Sequence, residues 1–321
     1  WKAAYTNKAF KLQSFMNMLE GDAPNLLVVD PTGKQVTLDF DTTTFDIEVG
    51  DSRIVGGKHV LTYGGNFRHN GFTLSLAPGE DSRTEGGAYI QDEWLMSEQF
   101  RLVAGARFDS FSSIDNPVFS PRVALVYKPS ATQSIRTSYN RAFRAPSQIN
   151  NNLDTTIATP FPLGALSPLF GSAVYLVPTT ATGNPNLNEE SIDAFEVAYT
   201  ANLNERATVS AAWFYTKYED GIYFTPTAVW LTAPPGFPGI PQAGITPDML
   251  WSQVVKAGYL FPSNYTYLNL GSVKNQGLEL GINGALTDNV SGFVTYTYQT
   301  QPEPSFPGLT VDQFQRRTSV V

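Results

Sequence analysis

Along most of this chain, apolar and polar side chains alternate with a period of two residues. Leu102, Ala104, Ala106 and Phe108 share one face, and Val103, Gly105, Arg107 and Asp109 share the other. Phe195, Val197 and Tyr199 alternate with Ala194, Glu196 and Ala198 in the same way, and Leu278, Leu280 and Ile282 with Gly277, Glu279 and Gly281. Only an extended strand places residues i and i+2 on one side, so the chain reads as all-β. The polar face mixes charge with glycine, alanine and threonine, which suits a wall around a wet or plugged interior.

The connections between these runs come in two sizes. Short ones lie near 97–99, 129–133, 203–206 and 287–289; long ones run over 148–189 and 225–266, with lesser examples at 21–34 and 301–316. Short and long alternate, as tight periplasmic turns and extended extracellular loops do in an up-and-down membrane barrel. A soluble sandwich rarely carries two loops of about forty residues on one side. The fold class expected is therefore a transmembrane antiparallel up-and-down β-barrel. About eleven strands are expected, over 3–19, 35–50, 58–77, 84–97, 100–115, 118–129, 134–147, 190–203, 207–224, 267–286 and 290–301, with a candidate twelfth from Arg317. Several exceed the roughly 9–11 residues that cross a bilayer and are expected to project as a collar. Inside 225–266, Pro234, Pro235, Pro238 and Pro241 exclude a regular ladder, while Thr246, Pro247 and Asp248 open a short helix over 249–257.

Mean hydropathy is −0.17, close to that of soluble proteins. A barrel shows only every second side chain to lipid, so this value does not oppose a membrane location. Net charge is −8, which argues against nucleic acid as a partner. Cysteine is absent, so no disulfide, thiolate metal cluster or thiol nucleophile is possible. His59 and His69 match no ligand spacing, and no nucleotide loop or nucleophile elbow is present. No catalytic residue, metal ligand or cofactor is assigned.

Phe143, Arg144, Ala145, Pro146 and Ser147 form an "FRAPS" element, and Asn184 to Glu190 read NPNLNEE. Together they resemble the "FRAPS" and "NPNLKPE" motifs of TonB-dependent outer-membrane receptors, with Asn188 and Glu189 departing from the lysine and proline of that pattern. Tyr89 to Trp94 resembles the family's "YxQDEW" strand, 105–109 its "GxRxD", 191–199 its "E.GY" strand with Ala198 for glycine, and Asn275 to Glu279 its "NxGxE". The shared order runs over about 87–298. The resemblance implies a barrel of about 22 strands around an N-terminal plug, with a TonB box reaching an inner-membrane energy complex. It also implies capture of a ferric siderophore, cobalamin, haem or oligosaccharide by extracellular loops. This chain is expected to carry about half of those strands and neither plug nor TonB box. No signal peptide opens it, and Ser319, Val320 and Val321 lack an aromatic strand end. A partial barrel is expected: a curved, open sheet with two exposed edges.

Candidate lumen and motif positions are Gln91, Glu93, Arg107, Arg136, Arg144, Pro146, Glu190, Glu196 and Glu279. Charges on the less apolar face can meet water or a plug, whereas arginine at the lipid midplane costs roughly 2–4 kcal/mol; the alternative is that they are solvated wall charges without a ligand role. Candidate loop contacts to a ligand are Phe161, Phe170, Tyr175, Trp230, Trp251 and Tyr259, with Phe237 and Phe261 nearby. Such rings either stack on a bound molecule or pack the loops on each other. The expected function is TonB-dependent import of a scarce ligand across the outer membrane, not enzymatic. The expected partners are outer-membrane lipid, the TonB energy complex through a plug, and a small-molecule ligand. A passive porin-like channel and an outer-membrane barrel enzyme are the competing readings.

Overall fold

A computed structural model describes residues 1–29, 35–79, 81–287 and 289–306. Strands β1 (Lys2–Asn7), β2 (Phe10–Val29), β3 (Gln35–Val55), β4 (His59–Leu74), β5 (Ser82–Leu95), β6 (Phe100–Phe111), β7 (Val118–Ser130) and β8 (Gln133–Arg144) each pair antiparallel with the next. The chain then leaves the wall through helix α1 (Gln148–Asn152) and a hairpin of β9 (Asp154–Pro162) and β10 (Val174–Thr182). It returns as β11 (Glu190–Asn204) beside β8 and continues as β12 (Ala207–Val229). Helix α2 (Pro247–Lys256) precedes β13 (Pro262–Thr287), whose far edge takes β14 (Val290–Gln299), the short β15 (Glu303–Ser305) and the end of β10.

Strands β1–β8 and β11–β14 make the wall. The sheet does not close on itself, and β1 and β14 are its open edges in the lipid-crossing part, among the described residues. The expected partial barrel is what forms.

Register sorts the side chains. Val197, Trp213, Leu278 and Tyr298 are neighbours on successive strands and all face outward, each more than a third exposed. Ile90, Phe108, Phe119, Val123, Leu125 and Ile135 continue that outer surface. With the backbone polar groups paired in the ladder, such a surface can face lipid. The concave side carries the polar residues, with Phe214 lying across Gly277, where a β-carbon would stand 2.5 Å from the ring.

Three differences from the sequence reading have local causes. The run 3–19 is two strands, because Lys8 adopts a left-handed backbone (φ 53°) and turns the chain at the periplasmic end. The stretch 148–189, read as loop, contains α1 and the β9–β10 hairpin, whose Thr, Ile, Val and Tyr residues favour extended backbone. The loop at 225–266 is shorter than expected, since β12 and β13 stay paired out to Val229 and Pro262. Helix α2 forms where the capping signal lies: Thr246 Oγ1 accepts from the Met249 N–H at 3.3 Å. Arg317 lies outside the described residues.

Replacing Leu280 with arginine is expected to cost roughly 2–4 kcal/mol of folding stability in lipid vesicles. Glu279→Lys, one residue away on the concave face, is expected to cost little. Urea titration followed by heat-modified gel mobility distinguishes the two.

Candidate functional site

The concave face is a field of ion pairs. Arg68 Nε donates to Asp46 at 2.9 Å and approaches Glu85 at 3.7 Å, while Arg83 meets Glu85 at 3.2 Å. Arg107 grips Asp109 at 2.6 Å and donates to Asn66 at 2.6 Å. Apart from Arg83, these groups line a recess of about 450 Å³ with Glu48, Gln13 and Phe15. Asp46 and Asp109 are buried beneath their arginines, so each carboxylate holds a guanidinium against the wall.

Glu190 is the densest node. It pairs with Arg144 in the last register step between β8 and β11, receives the Tyr218 hydroxyl, and accepts the Ile222 backbone N–H at 2.6 Å. Only 3% of it is exposed. Burial opposes its ionisation, but Arg144, Tyr218 and the Ile222 amide outweigh that and hold its carboxyl below the usual range. Glu190 stands above the apolar band, whose outward-facing residues on β11 begin at Phe195.

Beside this node the β12–β13 ladder skips one residue on each strand, Asp220 (φ 55°) and Gly271 (φ 62°). A β-carbon on Gly271 would fall 2.4 Å from the Ser305 carbonyl oxygen. Asn269 spans the irregularity, donating to the carbonyls of Asp220 at 2.7 Å and Asn188 at 3.1 Å and accepting the Asn188 N–H at 2.8 Å. The NPNLNEE segment is thereby fastened to β13.

Above the node the two long excursions fold together. Phe161, Leu163, Val177, Phe237, Ile240, Leu250, Trp251 and Val254 form a buried core between the hairpin and α2. Trp251 Nε1 donates to the Trp230 carbonyl at 2.8 Å, Trp230 Nε1 to the Pro178 carbonyl at 2.7 Å, and the Tyr175 hydroxyl to the Pro235 carbonyl at 2.7 Å. Strand β10 joins β13 in parallel over Thr180–Thr182, and Asp154 N–H reaches the Leu76 carbonyl at 2.8 Å. A second cluster of Leu153, Ala181 and Tyr265, with Leu76 and Phe224 against it, seats the hairpin on the wall.

The sequence-derived positions therefore divide. Arg107, Arg144, Glu190, Arg136 and Glu196 enter ion pairs, the last two with each other across β8 and β11. Glu93 pairs with Arg101 at 3.2 Å. Pro146 is fully buried, and its carbonyl accepts Arg83 Nη1 at 2.8 Å. Gln91 faces Gly105 across the ladder, and Glu279 lies between Ala212 and Thr297 with no ion pair among the described residues. Of the loop aromatics, Phe161, Phe170, Tyr175, Trp230 and Trp251 pack in or against the loop core, whereas Tyr259 is 61% exposed. Tyr218, Asp46 and Asn269 were missed, since register alone brings them to their partners. Asp109 was legible in the GARFD run.

An apolar convex face, a charged concave face, tight turns at one end and folded loops at the other define the wall of an outer-membrane barrel. The chain belongs to the "TonB dependent receptor-like, beta-barrel" family, which it matches over residues 3–320, and its location is the outer membrane of a Gram-negative bacterium. It is 26% identical over 295 residues to the iron-regulated outer membrane virulence protein of Vibrio cholerae, covering 89% of this chain and 38% of that protein. The ferric enterobactin receptor PfeA of Pseudomonas aeruginosa superposes with a TM-score of 0.65 at 16% identity, over 93% of this chain and 42% of the receptor. The siderophore receptor PirA of Acinetobacter baumannii gives 0.64 at 17%, over 91% and 42%. At such identities the structural likeness is one of fold. The chain spans about two fifths of the length of these relatives.

Two outcomes follow for the full-length protein. Trp251→Ala removes the largest ring of the loop core at a cost of about 3–5 kcal/mol; protease nicking within 230–261 is expected to rise while the barrel keeps its gel mobility. Glu190 has a lowered pKa, so the native state favours its ionised form above the ordinary carboxylate pKa, and that contribution is lost only as pH falls through the lowered value. Protection of the Ile222 amide, measured against its intrinsic exchange rate, is therefore expected to persist at about pH 5 and to be lost only in stronger acid. In Glu190→Gln that protection is expected to be weaker and no longer to depend on pH across this range.

Proposed function

We propose that the full-length protein imports a ferric siderophore across the outer membrane by TonB-dependent transport, this chain giving barrel wall and ligand-capturing loops. The carrying observation is a loop module with its own aromatic core, standing over a lumen lined with arginine–carboxylate pairs, on a barrel of the TonB-dependent receptor family. A loop excursion that serves only to connect strands has no need of a buried tryptophan core. A rigid module can hold a pocket wall without ordering itself at each binding event.

Siderophore is preferred over cobalamin, haem or oligosaccharide because the named relatives are iron-regulated or siderophore receptors. In this reading the packed rings Phe161, Phe170, Tyr175, Trp230 and Trp251 set the module's shape, and Tyr259 is the aromatic left free to meet the ligand. Gln91, Glu93, Arg107, Arg136, Arg144, Glu190, Glu196 and Glu279 form the polar path below it. The partners are outer-membrane lipid and, through a plug domain, the TonB energy complex.

The test is uptake of radioactive iron as ferric siderophores by iron-starved cells lacking their own siderophore receptors. Full-length protein is expected to restore uptake, and deletion of TonB to abolish it. Uptake that persists without TonB identifies a passive pore and removes the proposal.

A further inference from the structure

Near the periplasmic turns the convex face is mostly apolar: Phe100 stacks on Tyr127, and Leu125, Ile135 and Leu203 are exposed nearby. Strands β3–β5 depart from this. Register sets Asp51 opposite Tyr63 and Tyr63 opposite Ile90, one of the outward-facing residues. Asp51, Arg53, Tyr63 and Asp92 therefore all lie on the convex side, together with His59 and Trp94, which pair in the step nearest the turns. These strands lie inside the sheet, with β3 two strands in from the edge at β1. The convex side is also turned away from the lumen, so neither further wall nor a plug covers it.

The patch is two ion pairs on either side of Leu61. Arg53 Nε donates to Asp51 at 2.6 Å, and Asp51 also accepts the Ser52 N–H at 2.9 Å and the Tyr63 hydroxyl at 3.3 Å. The carboxylate is covered and the guanidinium is not, at 9% and 66% exposure. Across Leu61, His59 Nδ1 lies 2.7 Å from Asp92, and the ring stacks on Trp94 with centroids 5.4 Å apart. A carboxylate only accepts, so Nδ1 carries the proton and Nε2 is the acceptor of the neutral ring. Arg53 is thus held as an exposed donor, and His59 as a partly exposed acceptor with a carboxylate behind it. The two are diagonal neighbours on facing strands, about 7–8 Å apart at the backbone.

Charge on the lipid-facing side is tolerated in the headgroup layer and costly at the midplane. At this end of the barrel that layer is phospholipid. A phosphoethanolamine headgroup carries a phosphate and a primary ammonium two carbons apart. A guanidinium fork matches the phosphate oxygens; the ammonium has N–H donors for His59 Nε2 and a charge that Asp92 attracts. A patch holding both signs fits such a zwitterion better than it fits an anion. Toward the midplane Gly65 faces Ala88, leaving a shallow strip beside Phe67 along which an acyl chain can lie.

We propose that the convex face of β3–β5 holds a phosphatidylethanolamine molecule of the periplasmic leaflet, Arg53 taking its phosphate and the His59–Asp92 pair its ammonium. This rests on the outer-membrane barrel alone, and siderophore import stands or falls separately.

The test is native mass spectrometry of full-length, delipidated protein titrated with three phospholipids of identical acyl chains. Phosphatidylethanolamine is compared with phosphatidylcholine, whose ammonium has no N–H, and with phosphatidylglycerol, which has no ammonium. Wild type is expected to bind phosphatidylethanolamine about fivefold more tightly than either, the worth of one charge-assisted contact. His59→Phe keeps the stack on Trp94 and is expected to bring phosphatidylethanolamine down to the level of phosphatidylcholine, leaving the other two lipids and the heat-modification temperature unchanged. Arg53→Gln is expected to weaken all three about fivefold, since all carry the phosphate. If Arg53→Gln gives no heat-modifiable barrel, His59→Phe decides alone. Equal binding of the three lipids by wild type overturns the inference, as does a preference for phosphatidylglycerol. It is also overturned if His59→Phe weakens all three lipids alike, or if the patch proves to hold a second copy of the protein, seen as a dimer that both variants dissociate.

Discussion

A chain in lipid must hydrogen-bond all of its backbone to itself, and in this protein the antiparallel ladder meets that demand strand by strand. Successive residues of a strand then point to opposite faces, so the ladder also divides the sequence into two chemistries. Val197, Trp213, Leu278 and Tyr298 meet on one side; Arg136 and Glu196 meet on the other. Slipping one strand by a single residue would turn arginine to lipid and tryptophan to the lumen, which is why the register is so strongly specified. The open edges at β1 and β14 are the places where the ladder is incomplete among the described residues.

The same ladder converts distant residues into sites. Arg144 and Glu190 are 46 positions apart, yet they close the last register step between β8 and β11. That single contact ties the FRAPS and NPNLNEE motifs together, recruits Tyr218 and the Ile222 amide from β12, and stands where the loop module begins. The structural meaning of the two motifs is thus that the wall hands over to the extracellular loops at a buried carboxylate. The skipped residues Asp220 and Gly271, bridged by Asn269, let β12 and β13 continue past this node into the collar.

The loops follow a different physics from the wall. Their rings are buried against each other as in a small soluble domain, with α2 and the β9–β10 hairpin as the two layers. Indole N–H groups are matched to carbonyls, so Trp230 and Trp251 lock backbone as well as fill space. Aromatic content alone left open whether these rings bind a ligand or pack the loops; most of them pack, and Tyr259 stands apart. The helix was legible because Thr246, Pro247 and Asp248 carry their capping chemistry locally. The hairpin was missed because prolines mask its extended pattern: Pro160 and Pro162 lie on the edge strand β9, and Pro178 lies on β10 before its pairing with β13 begins.

By itself the sequence determined the strand period, the two faces, the alternation of turn and loop, the α2 cap and the family resemblance. Each of these is written in residues close together along the chain. The tertiary structure alone decided what each arginine meets within the wall: Arg68 and Arg122 look alike in a polar-face pattern, but one lies against Asp46 and the other is in register with glycine and asparagine. It also decided that two separate loops share one core, and that Glu190 is buried among groups from three strands. The reason is that register and loop docking join residues tens of positions apart, and no local pattern records which strand lies beside which residue.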